Sequence, residues 1–89
     1  MGGAVMRFRN IEFRWSKCNN KYELVRWHEC EGKEYCYVIA FFDKGKEGYD
    51  MRTISSRFFE DKDAFVVGKY AIEFLNETFE IERHEEELK

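Results

Sequence analysis

Residues 35–42 read Tyr-Cys-Tyr-Val-Ile-Ala-Phe-Phe, eight uncharged positions bounded by Glu34 and Asp43. The run is strand-sized, rich in aromatic and β-branched side chains and apolar on both faces, which places it inside a sheet. On its C-terminal side, Asp43-Lys44-Gly45-Lys46-Glu47-Gly48 is a polar loop with two glycines that leads into a further strand over 49–55. On its N-terminal side, Glu31-Gly32-Lys33-Glu34 turns back from a strand over 22–30, where Val25 and Trp27 alternate with Leu24, Arg26 and His28. One step further out lies the turn Lys17-Cys18-Asn19-Asn20-Lys21, in which asparagine can take the left-handed conformation of tight hairpins. Before it, Ile11, Phe13 and Trp15 alternate with Glu12 and Arg14 in a strand over 8–16.

Four strands joined by short turns make an antiparallel meander. Loop length sets its register, because a slip of one residue turns every side chain to the other face. A two-residue loop at Gly32-Lys33 sets Trp27 opposite Val38, and symmetric pairing across the Gly45 loop sets Phe42 opposite Tyr49. An odd-length loop at Asn19 sets Trp15 beside Val25 and Phe13 beside Trp27. The expected core face then gathers Ile11, Phe13, Trp15, Val25, Trp27, Val38, Ala40, Phe42 and Met51.

A helix follows the sheet, capped at Asp61 or Asp63, whose charges suit the positive end of the helix dipole. Val67, Ala71, Phe74, Leu75 and Thr78 recur at three- and four-residue steps, with Phe65, Val66 and Tyr70 widening the stripe that packs on the core face. Gly68, unfavourable inside a helix, marks a close approach to the sheet. Phe79 and Ile81 alternate with Glu80 and Glu82 like a short edge strand, but the spacing also continues the helix to His84, and continuation with a frayed end is expected. The fold class is α+β: a four-stranded antiparallel meander with one C-terminal helix on one face, in the order ββββα. Residues 1–6 are expected to be a disordered extension with Met6 a second candidate start, 7–78 a single domain, and 79–89 an acidic, partly disordered tail or helix extension.

Eighty-nine residues supply one core, and 44% apolar content with nine Phe, five Tyr and two Trp lets that core form without covalent staples. No run approaches the ~20 apolar residues that cross a bilayer. The first residues lack the apolar segment of a secretory leader. An odd count of three cysteines fits reduced thiols and a cytoplasmic protein. The net charge of −3 divides into −5 over residues 73–89 and +2 over 1–72, a weak signal for nucleic acid and one compatible with a basic partner.

With the helix on one face, the opposite face is expected to present Leu24, Arg26, Tyr37, Ile39, Phe41, Arg52 and Ile54, with Glu12, Arg14, His28 and Asp50 among them. An apolar, aromatic and arginine-containing surface of that kind is what interfaces favour. Its cover is either a chain terminus folded back, a second copy, or another molecule. Catalytic and metal signatures are weak. Cys18, His28, Cys30 and Cys36 lack the paired spacing of a zinc knuckle, His28 and Cys30 have no orienting acid, and Gly32, Gly45, Gly48 and Gly68 form no phosphate loop. Neither a catalytic residue, nor a metal, nor a cofactor is implied, and no small-molecule substrate is identified.

The run from Tyr35 to Glu60, YCYVIAFFDKGKEGYDMRTISSRFFE, with KYAIEFL at 69–75, resembles small uncharacterised proteins of phages and prophages of Gram-positive bacteria, over roughly residues 22–75. The resemblance implies a small accessory protein that binds a host or phage protein, and it carries over no catalytic residue. The expectation is a non-enzymatic interaction module, a homodimer using the Tyr37/Ile39/Phe41 face with Arg26 and Arg52 as polar anchors. The alternative is a single-stranded nucleic-acid-binding accessory protein in which Tyr37 and Phe41 stack bases.

Overall fold

The computed structural model describes residues 3–88. Its elements are β1 (Gly3–Phe8), β2 (Ile11–Ser16), β3 (Lys21–Cys30), β4 (Lys33–Lys44), β5 (Tyr49–Thr53), α1 (Arg57–Glu60) and α2 (Lys62–Glu87). The strands form one antiparallel sheet in the order β1-β2-β3-β4-β5, so the α+β meander with its C-terminal helix is as expected. The strand number is not. A turn at Arg9 and Asn10, with Arg9 in the left-handed region at φ 56°, splits off an N-terminal edge strand. Residues 3–6, expected to be disordered, pair with β2 from Gly3 opposite Trp15 onward. The part of that expectation falling on residues 1 and 2 lies outside the described residues, as does residue 89 of the acidic tail.

The turn lengths decide which face each strand presents. Ser16 pairs with Lys21, so the loop 17–20 holds four residues, an even number. Phe13 therefore faces Leu24 and Trp15 faces Tyr22. This overturns the expected pairing of Phe13 with Trp27: β3 presents Leu24 to the helix, and Val25 and Trp27 point to the opposite side. Between β3 and β4 the two-residue turn is Glu31-Gly32, with φ of 52° and 78°, the conformation that favours tight hairpins. Trp27 consequently lies opposite Cys36, not Val38. Leu24 pairs with Ala40 and Val25 with Val38, which leaves Ile39 as the extra residue of a bulge. Across the next loop Phe42 faces Met51 and Lys44 faces Tyr49, two residues from the expected register but on the expected side.

The core lies between this helix-facing side of the sheet and α2. Ile11, Phe13, Leu24, Ile39, Ala40 and Phe42 from the sheet meet Phe58, Ala64, Val67, Ala71 and Leu75, none more than 3% exposed. Phe13 stands edge-on to Phe42 at 5.3 Å and to Phe74 at 6.3 Å, joining sheet and helix. Asp61 caps α2 by accepting from the Asp63 amide at 2.9 Å, and its other oxygen accepts from Arg26 Nε at 3.1 Å. That bond raises the Arg26 pKa above its ordinary value. Gly68 is the close approach expected: a Cβ there would stand 3.2 Å from Met51 Sδ and 3.3 Å from the Phe58 ring. Asn76, the residue after core Leu75, accepts from the Tyr49 amide at 2.7 Å and donates to the Tyr49 carbonyl at 3.1 Å. The helix continues to Glu87, past the expected end at His84. Among the described residues no helix is long and apolar enough to cross a membrane.

Candidate interaction surface

The side of the sheet away from α2 carries Val25, Trp27, Val38 and Phe41. Its centre is closed, while Trp27, Val38 and Phe41 around it are half-buried. Val25 is fully buried, Glu23 is 2% exposed and Glu12 7%. Arg14 lies between the two carboxylates, 2.9 Å from Glu23 and 3.7 Å from Glu12, and its NH2 reaches Cys36 Sγ at 3.7 Å. Glu12 also accepts from the Trp27 indole at 2.8 Å, and Glu23 from Asn19 at 3.2 Å. Arg7 sits over the Trp27 ring at 4.9 Å. At the other end of this face, Lys21 and Arg52 lie on the Phe41 ring at 5.5 and 5.4 Å. Both also pair with Asp43, at 3.0 and 2.8 Å. The hydrogen bonds from Arg52 and then Lys21 hold the Asp43 carboxyl at about 2. Among the described residues no buried side-chain nitrogen or oxygen lacks a partner. The apolar residues of this face are thus roofed by the stems and rings of their own charged neighbours.

The residues expected to form one binding face are dispersed. Leu24 and Ile39 are fully buried in the core, a correction that follows from the even loop at 17–20 and from the bulge. Tyr37 packs against the same core, and Arg26 is tied to the helix cap. Phe41 and Arg52 remain on the outer face, engaged with each other and with Asp43. Ile54 is exposed, at the end of β5. Tyr37 and Phe41 therefore point to opposite sides and form no stacking platform. Cys18 and Cys30 are exposed, Cys36 is half-buried beneath Arg14, and His28 is exposed opposite Tyr35. Among the described residues no three His, Cys, Asp or Glu side chains gather at metal-binding range.

Val5, Phe8 and Tyr35 are exposed on the strands and Ile54 just beyond β5, but the exposed apolar side chains are most numerous on the helices. Phe59 is 63% exposed, Phe65 50%, Val66 56%, Tyr70 46% and Phe74 38%. Phe59 and Phe65 flank buried Phe58, and Tyr70 and Phe74 stack nearly parallel, 8° apart, at 6.2 Å. Along α2 this surface is a second row. Ala64, Val67, Gly68, Ala71 and Leu75 face the sheet, while Val66, Tyr70 and Phe74 recur at four-residue steps beside them and Ile81 and Leu88 continue at sevens, both exposed. The row spans about 33 Å at ~1.5 Å per residue. Its signal was present in the sequence as two interleaved apolar registers, and merging Phe65, Val66 and Tyr70 into one wide core stripe concealed it. Lys62 and Lys69 border its first half, and Glu73 and Glu77 its second, all exposed.

No family model, no curated protein and no solved structure matches this chain.

Proposed function

We propose that the chain is a non-enzymatic interaction module that self-associates through the outward row of α2. One observation carries this reading: Val66, Tyr70 and Phe74 stay exposed to solvent, whereas on the outer face of the sheet Val25 is buried and Trp27, Val38 and Phe41 are half-buried under their charged neighbours. Contiguous exposed apolar surface on a small domain marks an interaction site. The charges beside the row favour a second copy as occupant. Lys62 and Lys69 precede Glu73 and Glu77, so a two-fold antiparallel pairing of helices brings the basic half of each row to the acidic half of the other, whereas a parallel pairing sets like against like. An accessory role in a phage or prophage is the setting that the sequence resemblance suggests for such a module.

Light scattering over a dilution series tests this. A mass rising with concentration toward twice 10.8 kDa supports it. A Val66→Ser/Tyr70→Ser variant should then remain monomeric while keeping its helical circular dichroism. A wild-type monomer at every concentration overturns it.

A further inference from the structure

Antiparallel pairing of two α2 rows also brings two sheets together, and the two edges of each sheet differ. At β5, the Asn76 side chain occupies both backbone groups of Tyr49. β1, first in the strand order, pairs with β2 on one side only among the described residues, and all its residues except Met6 are exposed. Unpaired backbone along an exposed edge is a template for another strand. We propose that the β1 edges of two copies pair antiparallel about a two-fold axis, making one ten-stranded sheet with both helices on the same face. This rests on the self-association of the chain through α2 and adds a main-chain joint to it.

The placement of α2 supports the joint. Gly68 and Asn76 approach Met51 and Tyr49 of β5, whereas Phe74 meets Phe13 of β2. Val66 and Tyr70 share a row with Phe74, so the exposed row lies on the flank of α2 turned to β2 and β1 rather than to β5. A two-fold axis normal to the sheet at β1 therefore turns the two rows toward each other, with the helices running in opposite directions. That is the direction in which Lys62 and Lys69 complement Glu73 and Glu77. An axis at the β5 edge would turn the rows apart.

The strand also suits a copy of itself. Gly3-Ala4-Val5-Met6-Arg7-Phe8 holds no acid and one base, and Val5 and Phe8 are among the exposed apolar side chains. Centred on Val5 or on Met6, the antiparallel pair sets Arg7 opposite Gly3 or Val5, never opposite itself, and like charges are what such pairs must avoid. The bulge at Val5 interrupts the ladder to β2 at one residue, and Met6, Arg7 and Phe8 continue it. Main-chain hydrogen bonds of this kind give affinity wherever a strand adds to a free edge.

The experiment follows the full-length protein by amide hydrogen exchange at concentrations spanning the rise in mass, and by isotope-filtered NOEs in an equal mixture of labelled and unlabelled chains. Exchange in β1 that slows as the mass doubles, with NOEs linking residues 4–8 of one copy to residues 4–8 of the other, supports the joint. A mass that doubles while β1 exchanges at the monomer's rate overturns it and leaves association through the helix row standing. A mass that never rises overturns both. Val5→Lys, an exposed change, sets its ammonium opposite its symmetry mate or Arg7 across the axis and should raise the dissociation constant about five- to ten-fold. An unchanged dissociation constant in that variant also counts against the joint.

Discussion

The outer face of the sheet and the outward row of α2 both carry large apolar side chains, yet the first is half-buried to buried and the second exposed. Val25, on the sheet, is fully buried, while Val66, on the helix, is 56% exposed. The difference is geometric. On a sheet an apolar residue has neighbours across both adjoining strands at about 5 Å, so long charged side chains from either side can lie over it and find carboxylates on the far side. Arg14 does this between Glu12 and Glu23, and Lys21 and Arg52 do it over Phe41. On the outer surface of a helix the flanking side chains diverge, and with Lys69 and Glu73 beside them Val66 and Tyr70 remain exposed. Charged neighbours can half-bury a sheet face in the monomer; the helix row stays exposed.

The comparison breaks most visibly at Arg14. Arg14→Met leaves Glu23 buried with only Asn19 as donor, and unfolding in urea should show a loss of about 2 to 3 kcal/mol, less than the ~3–5 of a fully buried pair because a quarter of the arginine side chain is exposed. Arg14→Met combined with Glu23→Leu should recover most of that loss, since no charge is then stranded. A double variant no more stable than the single one would mean that the roof acts by packing alone.

A smaller effect belongs to Asp43. Its folded-state carboxyl stays charged down to about 2 while the ordinary value is 3.8, so the trio with Arg52 and Lys21 contributes its stability above the higher value and loses it as pH falls through that window. Asp43→Asn should flatten the acid limb of thermal stability between about pH 4 and pH 2. The change should be modest and should shrink with added salt, because this end of the face is well solvated. Smallest of all, on folding, is the helix row: Val66→Ser/Tyr70→Ser should leave the urea midpoint of the dilute monomer within about 0.5 kcal/mol of wild type while abolishing association. A large fall in monomer stability would show that the row packs against the core after all.

The sheet, its meander order and the capped helix were legible because period-two alternation and Asp61 state them directly. The facing of β3 was not, since Lys17-Cys18-Asn19-Asn20 permits an odd or an even loop and parity alone decides whether Leu24 or Val25 enters the core. The bulge at Ile39 was invisible in an unbroken apolar run, where an extra residue changes no polarity. β1 was missed because its turn places arginine, at Arg9, in a conformation usually left to glycine or asparagine. The candidate surface failed for two reasons: the even loop turns Leu24, Arg26 and Tyr37 together toward the helix, and the bulge at Ile39 turns Phe41 to the other side. The second apolar face was expected to consist of Leu24, Tyr37, Ile39, Phe41 and Ile54 under a terminus, a second copy or another molecule; the outer face instead carries Val25, Trp27, Val38 and Phe41, shielded in part by neighbouring charged side chains.

Asn76 makes the helix and an edge strand into a single timing element. Its side-chain amide takes up both backbone groups of Tyr49, where a sixth strand would otherwise pair. An edge-strand amide normally loses its proton to solvent quickly, but this one can exchange only after the helix has lifted from the sheet. Deuterium uptake at Tyr49 therefore clocks the undocking of α2, one amide reporting on a 26-residue helix.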